Sequence, residues 1–243
     1  MPDKDNNSLA DLKSVFLDNM SHELRTPVTV ILGYAGILFE ELKDPELKEM
    51  AEIILKSSNR LTEALNLILD EADIETNRLK INLEKKNISE IVKNTAMIYK
   101  QEANSKHIDF NILIDSGNLN AFTDERMLTR IIHNLLNNAF KFTNEGEITI
   151  RLSHKNDSGK KYFVIEVTDT GIGIPKESQV LIFEAFRQVS EGMNRMYQGI
   201  GLGLSITKKF VELLKGKIEL DSAEGKGTKF KIEFPLIENS TNG

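Results

Sequence analysis

The 243-residue chain contains no cysteine. That absence removes disulfide frameworks, thiol nucleophiles and cysteine-built metal sites from the chemistry open to it, and it fits a reducing compartment. No apolar run approaches the ~20 residues that a membrane-crossing helix needs, so no membrane span is expected within this chain. The opening segment MPDKDNNS has no signal-peptide hydrophobic region. An excess of positive charge is missing as well: 31 Lys and Arg stand against 37 Asp and Glu, for a formal net charge of −6. With no basic stripe to offset that balance, a nucleic-acid partner is not expected. Internal repeats and low-complexity tracts are also absent. What is present, 40% hydrophobic and 28% charged residues, suits a soluble globular chain with room for one large or two modest domains.

The most informative stretch is FLDNMSHELRTPVTVIL, residues 16–32. Leu17, Met20, Leu24, Val28, Ile31, Ala35, Leu38 and Leu42 recur in steps of three and four, which marks one face of a helix running from about Leu9 to Leu42. At about 100° per residue, His22 points roughly 160° away from that stripe. It therefore faces water, between Met20-Ser21 and Glu23-Leu24-Arg25, ahead of Thr26 and a Pro27 expected to kink the helix. Lys43-Asp44-Pro45 breaks the pattern, and Pro45 suits the first position of a new helix. A second stripe follows at Leu47, Met50, Ile54, Ser57, Leu61, Ala64, Ile68 and Ala72. Two amphipathic helices joined by a short turn make an antiparallel hairpin. A lone hairpin cannot cover both apolar faces, so the expected solution is a homodimer closing a four-helix bundle, with a monomeric hairpin folded on the rest of the chain as the alternative.

Beyond residue 78 the period changes. Leu79, Ile81 and Leu83 alternate with polar residues as in a strand, and Ile88 to Lys106 reads as one helix. Ile108–Ile114 is strand-like, Asn118–Ala121 a turn and short strand, and Asp124–Phe142 a helix ended by Asn144-Glu145-Gly146. Ile148–Leu152 and Tyr162–Thr168 read as strands around a hairpin loop at Asn156–Gly159. A loop from about Arg187 to Gly199 precedes a helix at Leu202–Leu214, and strands at Lys217–Leu220 and Lys229–Phe234 follow. This half, residues 79–243, is expected to be α/β with a mixed, largely antiparallel sheet. The division predicted is 1–78 and 79–243, with a candidate hinge around Glu71–Arg78.

Three groups of residues in this half suggest a phosphorylated ligand. Asn134 and Asn138 lie four apart on one helix, so they share a face. Their amide oxygens are hard ligands suited to Mg²⁺, and Lys141, one turn on, suits a phosphate. Asp169-Thr170-Gly171-Ile172-Gly173-Ile174-Pro175 follows an apolar strand directly. A carboxylate there can accept from an exocyclic amine such as that of adenine, while the two glycines let the backbone pass close to a flat base. Lys176 stands where a dinucleotide-binding turn needs its third glycine, which excludes that reading. Gly199-Ile200-Gly201-Leu202-Gly203-Leu204 opens a helix, and such a turn offers bare N–H groups to phosphate, although it lacks the ending of a P-loop. Arg187 and Arg195 lie in the preceding loop, as in a lid over a ligand.

In this order the segments resemble those of the sensor histidine kinases of two-component systems. SHELRTP is similar to the family's phosphoacceptor box, NLLNNAFKFT to its N box, DTGIGIP and GIGLGL to its two glycine boxes and FEAF to its F box. The resemblance implies a multidomain protein: an all-α dimerisation and phosphotransfer hairpin, then a Bergerat-type (GHKL) ATP-binding α/β sandwich. It implies that His22 accepts the γ-phosphoryl group of ATP and passes it to an aspartate of a response-regulator receiver domain. Glu23 would orient the imidazole or take its proton, and Thr26 would assist the reverse, phosphatase activity. ATP and Mg²⁺ would be held by Asn134 and Asn138, Lys141, Phe142, Asp169, Gly171, Gly173, Ile174, Arg187, Arg195, Gly199, Gly201, Leu202, Gly203 and Leu204, with Phe183 and Phe186 anchoring the lid. Ile200 departs from the family, which usually has threonine there. His107, His133 and His154 match no phosphoacceptor box and are left as structural or surface residues. A silent nucleotide-binding scaffold and another GHKL-type ATPase are the rival readings. The expected location is the cytoplasm, as the soluble core of a protein that can be membrane-anchored.

Overall fold

A computed structural model of the chain describes residues 23–76, 78–115, 117–187 and 201–236. The chain divides between Leu79 and Lys80 into two compact units. In the first, residues 23–41 form helix α1 and Pro45–Glu75 form α2. The helix continues unbroken past Pro27, whose missing N–H leaves the Glu23 carbonyl without its usual donor one turn on. Residues 42–44 turn the chain. Asp44 caps α2, its Oδ1 accepting from the N–H groups of Glu46 at 3.0 Å and Leu47 at 3.1 Å, and Pro45 takes the first helical position. Across the turn the Lys48 ammonium lies 4.9 Å from the centre of the Phe39 ring. The connection is too short for anything but antiparallel neighbours.

Burial in this unit is thin. Val28, Ala35, Ala51, Ser58 and Ala72 are buried, whereas Leu24, Val30, Ile31, Tyr34, Ile37 and Leu38 on α1 and Leu47, Met50, Ile53, Ile54, Leu61 and Ile68 on α2 are exposed. Much of the predicted apolar stripe therefore stands open. The candidate hinge at Glu71–Arg78 is helical through Glu75, because α2 outlasts its apolar stripe by one turn. Residues 9–22 of the predicted first helix, His22 among them, lie outside the described residues.

The second unit is a two-layer α/β sandwich. Strands β1 (Glu84–Asn87) and β3 (Asn120–Thr123) pair antiparallel as a small sheet. Strands β2 (Asp109–Ile114), β4 (Glu147–Asp157), β5 (Lys160–Asp169), β6 (Lys217–Ser222) and β7 (Thr228–Pro235) form the main one, in the order β2-β4-β5-β7-β6. Only β2 and β4 run parallel; the other neighbours are antiparallel. This is the mixed, largely antiparallel sheet expected. The β4–β5 hairpin turns tightly through Ser158 and Gly159, both with positive φ.

Helices α3 (Ile88–Met97), α4 (Lys100–Lys106), α5 (Glu125–Phe142) and α6 (Gly203–Leu213) make the second layer. One residue in two along each strand points into the core: Ile148, Ile150 and Leu152 from β4, Phe163, Ile165 and Val167 from β5, Phe230, Ile232 and Phe234 from β7. They meet Leu128, Ile131, Leu135 and Leu136 of α5 and Ile206 and Phe210 of α6, all at most 1% exposed. The opposite sheet face is ionic. Lys155 and Lys231 both bond to Glu233, and Lys229 to Glu166. That face can therefore stand in water without a second packed layer.

Two expectations fail here. Residues 79–83 are not a strand; β1 begins at Glu84 because only there does β3 offer a partner, and Asn82 instead donates its N–H to Asp124 Oδ2 at 2.9 Å. Nor is 88–106 one helix. It breaks at Ile98-Tyr99, where the Tyr99 N–H bonds to the Ala96 carbonyl at 3.0 Å, a tighter closure that turns the phenol inward.

Candidate nucleotide site

Helix α5 carries the first part of the site. Asp124 starts it, accepting the Met127 N–H at 3.1 Å on the oxygen that Asn82 does not use. Leu128, Ile131, Ile132, Leu135, Leu136 and Ala139 anchor it to the sheet, so Asn134 and Asn138 occupy its half-buried flank. Asn134 donates through Nδ2 to the Gly203 carbonyl at 3.1 Å and to Thr207 Oγ1 at 3.3 Å. Its amide nitrogen is thereby committed to the first turn of α6, and Oδ1 is the atom left to meet a cation. At the helix end, the Lys141 ammonium lies 4.9 Å from the centre of the Phe142 ring.

Helix α6 begins with no side-chain cap: Leu202, at its N-cap, is 1% exposed and offers none. Ser205 and Thr207 instead bond back to the carbonyls of Leu202 and Gly203, at 2.9 Å and 2.8 Å. The first N–H groups of the helix are thus without a side-chain acceptor from the N-cap, the arrangement that suits an anion. Gly201 has φ +76° and lies against the backbone of Phe186-Arg187, too close for a side chain. Gly203 packs on Asn134, and Leu204 is half-buried in the first turn.

The third part is the loop after β5. Asp169 is 7% exposed, and its Oδ1 accepts the Gly171 N–H at 2.9 Å. Burial pushes its carboxyl above the ordinary range, against the opposing hydrogen bonds from the Gly171 and Thr228 backbones. Gly171 lies against the Phe142 carbonyl, which also accepts the Ile172 N–H at 3.2 Å, so this loop is tied to the end of α5. Gly173 has φ +69° and touches the Ala223 carbonyl, which excludes any other residue. The Ile174 N–H donates to Ser222 Oγ at 2.9 Å, and Gln179 Nε2 bridges the Ile174 and Ser222 carbonyls at 3.0 Å and 2.8 Å.

Three of the predicted elements thus come together: the Asn134 flank of α5 with the start of α6, the end of α5 with the Asp169 loop, and Gly201 with Phe186-Arg187. Glu23 and Thr26 are exposed on α1 in the other unit. Arg187 is exposed and paired with Glu184 at 3.3 Å. Phe183 packs edge-on to Phe230 and Ile182 is buried, but Phe186 is 67% exposed. His22, Arg195, Gly199 and Ile200 lie outside the described residues. Ser222, Gln179, Thr228 and Thr207 were missed by sequence reasoning. The turn signal Gly225-Lys226-Gly227 ahead of Thr228 could have drawn attention to the last hairpin.

As a metal site, the donor set fits an ion that keeps most of its own waters. Two amide oxygens stand on one helix flank, and no group of three or more His, Cys, Asp or Glu side chains able to hold a metal occurs among the described residues. Mg²⁺ bound partly through phosphate suits those terms. No described helix is long and apolar enough to cross a membrane.

The arrangement is that of a Bergerat-type nucleotide-binding sandwich preceded by a helical hairpin. Residues 12–77 match the His Kinase A (phospho-acceptor) domain, and residues 123–238 match the histidine kinase-, DNA gyrase B- and HSP90-like ATPase domain. The chain belongs to the sensor histidine kinases. It is 36% identical over 234 residues to the circadian input-output histidine kinase CikA of Thermosynechococcus vestitus, covering 94% of this chain and 32% of that protein. It is 35% identical over 230 residues to the autoinducer 2 sensor kinase/phosphatase LuxQ of Vibrio cholerae, covering 93% of this chain and 27% of that one. The crystal structure of full-length ShkA in complex with AMPPNP superposes with a TM-score of 0.69 at 28% identity, over 90% of this chain and 45% of that one. The chain thus spans a third or less of the length of these curated relatives.

Proposed function

We propose that this chain is the catalytic core of an autophosphorylating protein histidine kinase. Residues 1–78 act as the dimerisation and phosphotransfer hairpin and 79–243 as the ATP-binding domain. The observation that carries the reading is the bond from Asn134 to the first turn of α6 at 3.1 Å. It joins the N box to the second glycine box, while the carboxylate of Asp169 stands in a glycine-lined loop tied to the C-terminal end of the same helix. That is a phosphate end and a base end on one scaffold.

In this reading Asp169 accepts from the adenine amine, with Gly171, Gly173 and Ile174 passing close to the ring and Phe142 against it. The backbone of Gly199, Gly201, Leu202, Gly203 and Leu204 meets the phosphates, helped by Lys141, Arg187 and Arg195. Asn134 and Asn138 hold Mg²⁺, which when bound offsets the charge of the triphosphate. The unprotonated ring nitrogen of His22 attacks the γ-phosphorus; the N–P bond forms as the bond to the β-phosphate oxygen breaks and ADP leaves. Glu23 takes the ring proton. The phosphoryl group then passes to an aspartate of a receiver domain, and Thr26 assists its hydrolysis in the reverse direction, a pairing of activities that the name of the LuxQ relative also carries. The open apolar faces of α1 and α2 are covered by a second copy of the hairpin. The cytoplasm, where ATP and receiver domains meet, is the location proposed.

Incubation with γ-labelled ATP and Mg²⁺ tests the reading. Acid-labile, base-stable label is expected on the wild type and on neither His22→Gln nor Asn138→Ala. Label that survives His22→Gln would refute the assigned acceptor. ATP binding without label would favour a silent scaffold.

A further inference from the structure

The opposite flank of α5 carries a buried polar cluster that the nucleotide contacts do not use. Tyr99, in the break between α3 and α4, is 4% exposed. Its hydroxyl lies 2.7 Å from His133 Nδ1, 2.7 Å from Asn137 Oδ1 and 3.2 Å from the His133 carbonyl. Its ring stacks on Phe140, with centroids 5.2 Å apart and planes inclined by 14°, and Phe110 closes edge-on behind Phe140 at 5.2 Å. Residues 133, 137 and 140 are spaced i, i+4, i+7, so one phenol grips a full ridge of the helix. Each polar contact falls on the residue just before a candidate ligand: His133 precedes Asn134, and Asn137 precedes Asn138.

The ring and the hydroxyl do separable things. A phenylalanine would fill the same space and keep the stack on Phe140. Only the hydroxyl is directional, donating its proton toward one α5 side chain while accepting from another. In a site largely closed to water such a bond resists rotation of its partners. The adenine end is held by other means, through Ser222 and Gln179 on the sheet side of the loop.

We propose that Tyr99 is a positioning residue for the nucleotide site, its hydroxyl fixing the roll of α5 so that Asn134 and Asn138 face the metal-bearing triphosphate before it arrives. This rests on the nucleotide site proposed above. Tyr99 acts through α5 and touches no reacting atom, so its removal should weaken the phosphate end of the site and spare the base end.

The test uses the whole chain as wild type, Tyr99→Phe, Asn137→Ala and the double variant, titrated calorimetrically with Mg²⁺–AMPPNP and, separately, with metal-free adenosine. Tyr99→Phe is expected to weaken Mg²⁺–AMPPNP about tenfold, the scale of one hydrogen bond, and adenosine less than about twofold. Asn137→Ala, at a half-buried position, should weaken the same ligand in the same direction, and the double variant should add little to Tyr99→Phe, because the bond from the hydroxyl to Asn137 is already lost in Tyr99→Phe. Equal weakening of both ligands, no weakening of either, or full additivity would overturn the proposal. A wild type that binds neither ligand would overturn the nucleotide site itself, and this inference with it.

Discussion

The two units of this chain solve the burial problem in opposite ways. The α/β unit closes its own core: Phe140, Phe163, Phe210 and Phe234 are each under 2% exposed, among aliphatic side chains from three strands and two helices. Among its described residues the hairpin buries three alanines, Val28, Ser58 and Glu71, and leaves Leu24, Ile31, Leu38, Ile54, Leu61 and Ile68 in water. A helix pair has one inner face, and small residues there let the helices approach but leave the large side chains outside. The α/β unit can hold a site as a single chain, whereas the hairpin, on the function proposed above, gains its hydrophobic stabilisation from a second copy. On the function proposed above, chemistry that requires a fixed nucleotide pocket is located in the self-sufficient half, and the phosphoacceptor segment in the half with the open apolar face.

The strongest way to break this contrast is to charge the open face. Ile54→Glu with Leu61→Glu would bury four carboxylates per assembled bundle, each costing several kcal/mol. Sedimentation equilibrium should show a monomer where the wild type is a dimer, and nucleotide titration should be unchanged. A variant that stays dimeric would place the interface elsewhere. The complementary change acts on the other core. Phe140→Ala removes a ring packed against Tyr99 and Phe110 and should cost about 3–5 kcal/mol in the α/β unit. In denaturant, the transition of that unit should move while the hairpin's association does not.

A third change sharpens the contrast within the α/β unit, between residues that hold the fold and one that holds a ligand. Asp169→Asn keeps the size of the side chain and an acceptor for the Gly171 N–H. It loses the charge that strengthens a bond to an adenine amine, worth about 1.5–3 kcal/mol, or roughly ten- to a hundredfold in affinity. Calorimetric titration with adenosine measures it directly. A loss below about threefold would mean that Asp169 supports the loop without reading the base.

These expectations differ in how far the sequence alone supports them. The boxes around Asn134, Asp169 and Gly201 were legible because their chemistry is carried by neighbours in sequence: two amides one helical turn apart, a carboxylate at a strand end followed by glycines, a glycine run opening a helix. The hairpin was legible from its period. Other features depend on residues far apart in sequence. Nothing in the alternation of Leu79, Ile81 and Leu83 tells that β3 pairs only from Glu84 onward. Nothing in the periodicity of 88–106 marks Tyr99 as the place where a tighter turn swings a phenol onto α5, because Tyr99 continues the apolar pattern on either side. Ser222 and Gln179 brace the Asp169 loop across 43 residues of sequence, and a lone serine or glutamine carries no local signature of such a role. Phe186 could not be placed from its regular motif for the converse reason: the backbone takes φ +63° there and leaves the ring exposed.

The smallest expected effect separates binding from stability at one carboxyl group. Burial raises the Asp169 pKa above its ordinary 3.8. As pH falls from neutral, the folded protein therefore takes up a proton here before the unfolded chain does. In that window the folded state binds more protons, so the stability contribution of this group rises as pH falls through the folded-state value toward 3.8, and the burial penalty on its charge is relieved. Ligand binding moves the other way, since a protonated Asp169 loses the ionised acceptor that an adenine amine prefers. Adenosine affinity should decline on acidification from above the ordinary carboxylate range, by at most about tenfold per pH unit. The same decline should be absent in Asp169→Asn, which has no proton to take up. A wild-type affinity that stays flat down to the ordinary carboxylate range would show that the buried charge is not the group the base meets.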